Sequence, residues 1–188
     1  MKYRIVYPTL LFVFICLCPE LHAQTRFKFN ALTAPVLVPH AGMETSLSDK
    51  WTFQTDVLGS FWKSFKGIPF QFGMLSAEAR YYPRGVFSGF YAGPNLSGMA
   101  GRLSKPQYWT EGIYSQKGYA YMAGVTVGYV FDLSGKVSLD LFATGGHIQG
   151  RFKHYDLRTG LRTDRDENAG LNRSGEWFPY RTGAMLTF

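Results

Sequence analysis

The clearest regularity along this chain is an alternation of apolar and polar residues with a period of two. Between residues 119 and 131, Tyr121, Val125 and Tyr129 share one face with other apolar residues, whereas Thr126 lies on the opposite face. Such alternation is typical of a β-strand whose two faces meet different environments. The segment therefore predicts a strand with one strongly apolar face.

Eight segments show this pattern, and no linker divides them into separate domains. They are residues 26–33, 42–48, 51–58, 70–82, 90–98, 119–131, 137–146 and 178–188. Segments of about ten residues match a tilted strand that crosses the hydrocarbon layer of a membrane. Pro94 interrupts the fifth segment, and because proline cannot donate to a strand ladder we expect a bulge there.

The connections between these segments are of two kinds. Those after the second, fourth and sixth segments are short, whereas those after the third, fifth and seventh are longer (residues 59–69, 99–118 and 147–177). Alternating turns and loops indicate an up-and-down barrel. We therefore predict an all-β fold, an eight-stranded antiparallel up-and-down transmembrane β-barrel. A soluble, secreted β-sandwich shares the alternation and is the alternative fold.

The last segment supports a membrane barrel. Counting back from Phe188, the residues Leu186, Ala184, Thr182 and Tyr180 share its mostly apolar face. A chain that ends on the aromatic residue of such a strand resembles bacterial outer-membrane β-barrels, whose closing strand ends at the periplasmic interface. That resemblance implies that the barrel assembly machinery recognises the C-terminal strand.

Residues 1–23 are expected to be a cleaved signal peptide. Lys2 and Arg4 precede an apolar centre, and Ala23 precedes a cleavage point at Gln24. The apolar stretch 5–18 is shorter than the roughly twenty residues that a spanning helix needs. Residues 24–188 would then form the barrel, in the cell outer membrane after secretion to the periplasm of a Gram-negative cell.

The two cysteines decide two further points. Cys16 follows Ile15 and Cys18 follows Leu17, where a lipoprotein signal would have a small residue, so lipidation is disfavoured. Both cysteines leave with the signal peptide. Disulfides, thiolate metal sites and cysteine nucleophiles are therefore excluded from the predicted mature chain.

The charge and the aromatic content fit an envelope protein. The net charge of +7 becomes +6 when Lys2, Arg4 and Glu20 are removed (7 − 2 + 1). An exported chain seldom meets nucleic acid, so outer-membrane lipids and the anionic phosphates of lipopolysaccharide are the expected partners. The aromatic content of 17% suits a protein whose rings line two membrane interfaces.

Charged residues on the predicted inward faces form a nearly balanced set. They are Lys28, Glu44, Asp56, Glu78, Arg80, Asp140 and Arg181. An Arg or Lys facing lipid near mid-membrane costs roughly 2–4 kcal/mol, whereas inside a barrel it can pair. We predict a structural ionic cluster in the lumen, with Glu44, Glu78, Arg80 and Arg181 in one layer. A narrow ion path or a buried acid-base pair is the functional alternative.

The predicted loop 147–177 carries charges of both signs. Its basic residues include a set that we expect to face lipopolysaccharide: Arg151, Lys153, Arg158, Arg162 and Arg165. Acidic residues such as Asp156 and Asp164 accompany them. The loop therefore predicts a hydrated crown at the outer end of the barrel.

Catalytic and metal-binding constellations are weak. His40, His147 and His154 lie near the predicted outer ends, where lipid A deacylases and palmitoyltransferases with eight-stranded barrels place their Ser, His and acidic residues. Ser138 lies nine residues from His147 on one strand, about 30 Å away. Ser104 or Ser174 could approach a histidine only through loop packing. His147 and His154 also lack the spacing of a metal site.

We therefore expect no catalytic residues, no bound metal and no cofactor. The predicted function is that of a non-enzymatic outer-membrane β-barrel protein, with an envelope-structural role or a binding role of its loops. A lipid A-modifying enzyme and a narrow channel are the alternatives. The sequence does not identify a protein partner.

Several short motifs also carry a family resemblance. They are Lys28-x-Asn30-x-Leu32, Gly42-x-Glu44, Trp51, Ala77-Glu78-Ala79-Arg80-Tyr81-Tyr82 and Gly89-x-Tyr91. The chain is similar in these to the domain of unknown function 3575 family, which resembles the small barrel of the OmpA class. The resemblance implies a barrel in the outer membrane of Gram-negative bacteria. It brings no established activity and no catalytic residues.

Overall fold

A computed structural model describes residues 24–63, 69–103, 114–156, 159–163 and 175–188. The predicted signal peptide lies outside these residues. The described chain is composed of strands β1 (Thr25–Asn30), β2 (His40–Ser46), β3 (Trp51–Lys63), β4 (Pro69–Tyr81), β5 (Gly89–Leu103), β6 (Tyr114–Ser134), β7 (Val137–Asp156), β8 (Arg162–Thr163) and β9 (Glu176–Thr187).

The sheet closes on itself. Strands β6, β5, β4, β3, β2, β1, β9 and β7 are neighbours in that order, and β6 pairs with β7 to complete the ring. Every pairing is antiparallel, and the two-residue β8 pairs with β7 outside the ring. The predicted eight-stranded antiparallel up-and-down β-barrel is confirmed. No helix among the described residues is long and apolar enough to cross a membrane.

The two ends of the barrel differ. Both Gln24 and Phe188 lie at the end with the short connections 47–50, 82–88 and 135–136, which we call the turn end. The backbone of Phe188 exchanges two hydrogen bonds with Phe27, at 3.0 and 3.3 Å. The opposite end is called the loop end, and three of its four connections (31–39, 104–113 and 157–175, but not 64–68) are longer than any at the turn end. An even number of antiparallel strands places both termini together in this way.

The strands extend further toward the loop end than the alternation predicts. β6 has 21 residues and β7 has 20, so both continue beyond the apolar part of their outward faces. Exposed Lys117, Arg151 and Lys153 occupy the outward positions there. Because the outward residues here are basic on both β6 and β7, the apolar alternation that identifies a strand is absent. The sequence therefore predicts loop in this part of the chain.

Pro94 does not cause the predicted bulge. The register of β5 against β6 runs through Pro94 without a shift. On the β4 side, the ladder is interrupted between the pairs Glu78↔Asn95 and Tyr81↔Ala92, and it resumes in the same register. Pro94 therefore interrupts the pairing of β5 with β4 only, and the side chains of β5 continue to alternate between the two faces.

A bulge occurs instead at Tyr180. Arg181 lies opposite Thr144 and Pro179 lies opposite Gly145, so Tyr180 is an extra residue in β9. Tyr180 was predicted to face outward, which is wrong. Its hydroxyl donates to an amide oxygen inside the barrel at 2.7 Å. An inserted residue breaks the period of two, and Tyr180 and Arg181 consequently both point inward.

Two apolar clusters fill the ends of the lumen. The turn-end cluster contains Tyr82, Tyr91, Val130, Phe142 and Met185. The loop-end cluster contains Met74, Ala120, Met122 and Ile148, with Tyr180 packed against it. Buried polar and charged side chains lie alongside these clusters; Asp140, for example, lies directly opposite Val130 and Met185.

The close contact of β4 with β5 yields a prediction about Gly93. A Cβ atom on Gly93 would overlap the backbone carbonyl of Ala79, whereas one on Gly73 would meet nothing within 4 Å. We expect Gly93→Ala to lower the free energy of unfolding by about 1–3 kcal/mol, the usual cost of overpacking. Gly73→Ala, also in a strand, should be neutral or slightly stabilising. Urea unfolding of the two variants checks this, and equal stabilities would contradict the close approach.

Candidate functional site

Arg80, the penultimate residue of β4, is completely buried inside the barrel. Alternation along β4 places it on the same inward face as Glu78, which its Nε contacts. Its Nη1 donates to Asp140 of β7 at 2.7 Å and to Glu44 of β2 at 3.2 Å. The guanidinium carbon also lies 4.2 Å from the centre of the Tyr91 ring. One cation thus bridges three carboxylates from three strands.

Glu44 and Asp140 also interact with a second cation and accept hydrogen bonds from two tyrosine hydroxyls. Lys28 of β1 pairs with Glu44 and with Asp140, in the latter case at 2.7 Å. The hydroxyl of Tyr82 donates to Glu44 at 2.8 Å, and that of Tyr91 donates to Asp140 at 2.7 Å. Each buried carboxylate is therefore held by charged and neutral donors together, as its burial requires.

Arg181 is the second buried guanidinium. It pairs with Glu78 and with Asp56, and its Cζ lies 5.0 Å from the centre of the Phe142 ring. Thr126 of β6 donates to the same Glu78 at 2.6 Å. Glu78 therefore connects the group around Arg80 to the group around Arg181.

His40 extends these contacts to β1. Its Nε2 lies 3.0 Å from an oxygen of Asp56, and its Nδ1 lies 2.9 Å from the amide nitrogen of Asn30. The amide oxygen of Asn30 accepts from the backbone N–H of Leu32 at 3.0 Å. The amide nitrogen must then donate to Nδ1, and Nε2–H donates to Asp56. His40 is consequently the neutral Nε2–H tautomer in this arrangement.

The sequence placed His40 near the outer end, in the connection before the second strand, and only its assignment to a connection was wrong. His40 is the first residue of β2, and it is buried in the lumen. The inward face of Glu44 and Gly42 continues two residues back to His40. The signal was present, but Pro39 and the apolar residues before it led us to begin the strand at Gly42.

The structure brings all seven predicted lumenal residues into one set of contacts, which we call the lumenal network. Every strand of the ring contributes to it: Lys28, Glu44, Asp56, Glu78 with Arg80, Tyr91, Thr126, Asp140 and Arg181. Three cations face four carboxylates, which leaves one net negative charge when His40 is neutral. Glu44 and Arg181 are joined through Arg80 and Glu78 rather than directly.

Sequence reasoning missed the neutral members of the network. Asn30, Tyr82, Tyr91 and Thr126 hold carboxylates or His40 in place. Each lies on an inward face by the period of two, so its direction could be derived from the sequence. Its hydrogen-bond partner could not be derived, because the pairing of residues on distant strands depends on how neighbouring strands are shifted relative to one another around the closed barrel.

The chemistry of the network is that of mutual neutralisation. The part of the chain that the structure describes holds no group of three or more potential metal ligands. The hydrogen-bond partners of His40 are Asn30 and Asp56. Ser138 accepts from Arg26 at 3.5 Å, whereas the His147 ring packs against Trp177. The network therefore links the strands of the ring through ion pairs and hydrogen bonds.

The outward face has a different pattern, with exposed aromatic residues near both ends. Near the turn end these are Phe27, Trp51, Phe53, Tyr81, Phe90, Tyr129 and Phe131, and near the loop end they are Phe61, Phe70, Tyr119, Tyr121, Trp177 and Phe178. Exposed aliphatic side chains lie between them, and we call these the aliphatic band: Val57, Leu75, Leu96 and Val125. Ten residues from Tyr119 to Tyr129 span about 33 Å of strand, or about 25 Å after a 40° tilt.

The basic residues that were assigned to the outer loop lie partly on strands. Arg151 and Lys153 are exposed on β7, and Arg162 is exposed on β8. The assignment of the first two to a loop was therefore wrong, since β7 continues to Asp156. Arg158 and Arg165 lie outside the described residues, as do Ser104 and Ser174.

The bridging position of Arg80 yields a prediction. Arg80→Ala leaves three buried carboxylates short of a partner, so we expect the free energy of unfolding to fall by about 3–5 kcal/mol. Arg84→Ala, in the exposed turn after β4, is the matched control and should change it by about 0.5 kcal/mol or less. Urea unfolding in detergent or lipid measures both. Equal stabilities of the Arg80 variant and the unsubstituted protein would contradict the inward assignment.

A double substitution tests whether Arg80 and Glu78 act as a pair. Glu78→Gln with Arg80→Met removes both charges and keeps similar volumes. We expect the loss in unfolding free energy to be smaller than the sum of the two single losses, because residues in one ionic network are coupled. Only partial recovery is expected, since Arg181 also loses its Glu78 partner. Strictly additive losses would show that the contact carries no coupling.

Comparison of this chain with known proteins and families gives a match to a protein family model. No curated protein and no solved structure matches the chain. Residues 9–178 match the family described as "Protein of unknown function (DUF3575)". This match covers most of the chain and agrees with the motifs around Glu78 and Arg80. The chain belongs to this family of proteins of unknown function.

Proposed function

We propose that the chain is an integral outer-membrane barrel without enzymatic activity, which supports the envelope or presents its loop end to binding partners. The observation that carries this proposal is the sorting of side chains by the barrel wall. The charged side chains of the lumenal network lie inside, and the aliphatic band and two aromatic girdles lie outside. A transmembrane barrel has this arrangement, with an apolar belt about 25 Å tall.

The exposed apolar surface argues for a lipid environment. Val57 is 59% exposed, Leu75 59% and Leu96 66%, on three neighbouring strands. Soluble monomers rarely expose contiguous apolar patches of more than a few hundred Å². A β-sandwich would bury such faces between two sheets, whereas this ring of strands turns them outward. Lipid chains are the partner that could cover them on every side.

The filled lumen favours a structural role over conduction. The lumenal network and the two apolar clusters together occupy the lumen with buried side chains. Eight strands leave an interior that side chains can fill completely. A narrow channel would require these clusters to move apart. The non-conducting, non-enzymatic barrel is therefore the simpler function.

The proposed orientation follows from the two ends. The short turns, Gln24 and Phe188 would face the periplasm, and the longer connections would face outward. Secretion through the predicted signal peptide and recognition of β9 by the barrel assembly machinery would bring the chain to this location. Lipopolysaccharide and outer-membrane lipids would then surround the loop end.

Substitution of Val125 tests the location directly. Val125 is 55% exposed on β6 in the middle of the aliphatic band. In a membrane, Val125→Arg should lower folding stability by roughly 2–4 kcal/mol, whereas a surface change in water is nearly neutral. Ser88→Arg, in the exposed turn before β5, is the control. Urea titration of refolding into vesicles, followed by heat-modifiable gel migration, measures both. A neutral effect at Val125, or a mature protein that is soluble in the periplasm, would refute the proposal.

The absence of enzymatic activity is tested in cells. We expect the lipid A of deletion and overexpression strains to keep the same acyl chains as that of the parent strain, measured by mass spectrometry. A gained or lost acyl chain would establish a lipid A-modifying enzyme instead. Planar bilayers containing the purified protein should show no steady conductance, and a steady current would favour the channel.

A further inference from the structure

The loop-end extension of the barrel wall carries a row of basic residues on its outward face. Arg102 of β5, Lys117 of β6 and Lys153 of β7 are all exposed. Arg102 lies directly opposite Lys117, and Lys117 lies directly opposite Lys153. We call these three residues the basic row. With strands about 4.8 Å apart, the row spans roughly 10 Å.

A fourth cation and two tyrosines lie just below the basic row. Arg151 is exposed on β7 and lies opposite Tyr119. The rings of Tyr119 and Tyr121 pack edge to face, with their centres 5.6 Å apart. Lys117 precedes Tyr119 by two residues on the same face, about 6.6 Å nearer the loop end of the strand. The basic row therefore lies immediately beyond the loop-end aromatic girdle.

The basic row is electrostatically unfavourable when no anion is bound to it. Like charges directly opposite each other destabilise neighbouring strands. Among the residues that the structure describes, Lys117, Arg151 and Lys153 form no salt bridge with a carboxylate. The three cations of the basic row, Arg102, Lys117 and Lys153, thus create a concentrated positive potential at one height on the wall. A bound anion with more than one negative charge would offset this repulsion.

We propose that the basic row, with Arg151 and the tyrosine pair beneath it, is a binding site for a phosphorylated glycolipid of the outer leaflet. This inference rests on the proposed membrane location. Aromatic girdles mark the boundary between acyl chains and headgroups, so the row would lie at the height of headgroup phosphates. Acyl chains would lie along the aliphatic band, and the sugar would meet the tyrosine rings.

The charge favours a phosphate monoester over a phosphodiester. A monoester carries between one and two negative charges near neutral pH, whereas a phosphodiester such as phosphatidylglycerol carries one. Arginine and lysine side chains of the row can surround the monoester oxygens with charge-assisted hydrogen bonds. The site is part of the strand wall, in contrast to the hydrated loop crown that the sequence suggested for lipopolysaccharide contact.

Native mass spectrometry of the refolded mature chain in detergent tests this site. The probe is bisphosphorylated lipid A, compared with dephosphorylated lipid A, phosphatidylglycerol and inorganic phosphate. The variant is Lys117→Gln with Lys153→Gln. The matched control is Lys50→Gln with Lys136→Gln, which removes two exposed lysines at the turn end. Heat-modifiable migration after insertion into vesicles establishes that each protein folds.

We expect the unsubstituted protein to bind bisphosphorylated lipid A more tightly than the other three probes. Removing the two lysines of the row should weaken that binding about tenfold or more, whereas the control should stay within about twofold. Higher salt should weaken the binding of the unsubstituted protein. Charge reversal at the central position, Lys117→Glu, should abolish it and should not impair folding, because a carboxylate between Arg102 and Lys153 relieves the repulsion.

Two kinds of failure are distinguishable. Equal weakening in the row variant and the control, equal binding of dephosphorylated lipid A, or inorganic phosphate binding as tightly as lipid A would overturn the glycolipid site. In each case a protein that inserts into vesicles leaves the proposed function standing. A protein that does not insert at all would instead refute the proposed function, and with it this inference.

Discussion

Arg80 is buried completely and contacts Glu44, Glu78 and Asp140, which lie on three different strands. A small barrel that carries charged side chains inward must neutralise them there, because an unpaired charge buried away from water is costly. Lys28 and Arg181 complete this neutralisation and carry it to the remaining strands. The contacts connect residues up to 125 positions apart in the chain, from Asp56 to Arg181. Closure of the ring and neutralisation of its interior therefore depend on each other.

The outer surface follows from the same constraint. With the charges gathered inside, residues of opposite parity are free to be apolar, and they form the aliphatic band between two aromatic girdles. Beyond the loop-end girdle the strands continue with basic outward residues such as Lys117 and Lys153. The wall is thus graded from apolar to cationic along its length, as expected of a surface that passes from acyl chains to anionic headgroups.

The period of two in the sequence was sufficient to derive the faces of most strands, the number of strands in the ring and the inward direction of the charged residues. It failed where a local feature breaks or hides the period. The bulge at Tyr180 reverses one side chain, and outward Lys117 and Lys153 disguise strand as loop. His40 was missed because proline and apolar residues precede it. The pairing partners of Arg80 required the stagger of the closed ring, which periodicity does not encode.

The most direct measurement of the central claim is a cysteine scan of β6 in lipid vesicles. Both cysteines of the sequence lie within the predicted signal peptide, at positions 16 and 18, so single cysteines can be placed freely in the mature chain. Spin labels at positions 121–129 would report collision with oxygen dissolved in the bilayer. The account predicts an alternating profile, with high values at Val125 and Val127 and low values at Thr126. A profile without alternation, or equal access of a water-soluble relaxation agent to Val125 and Thr126, would contradict it.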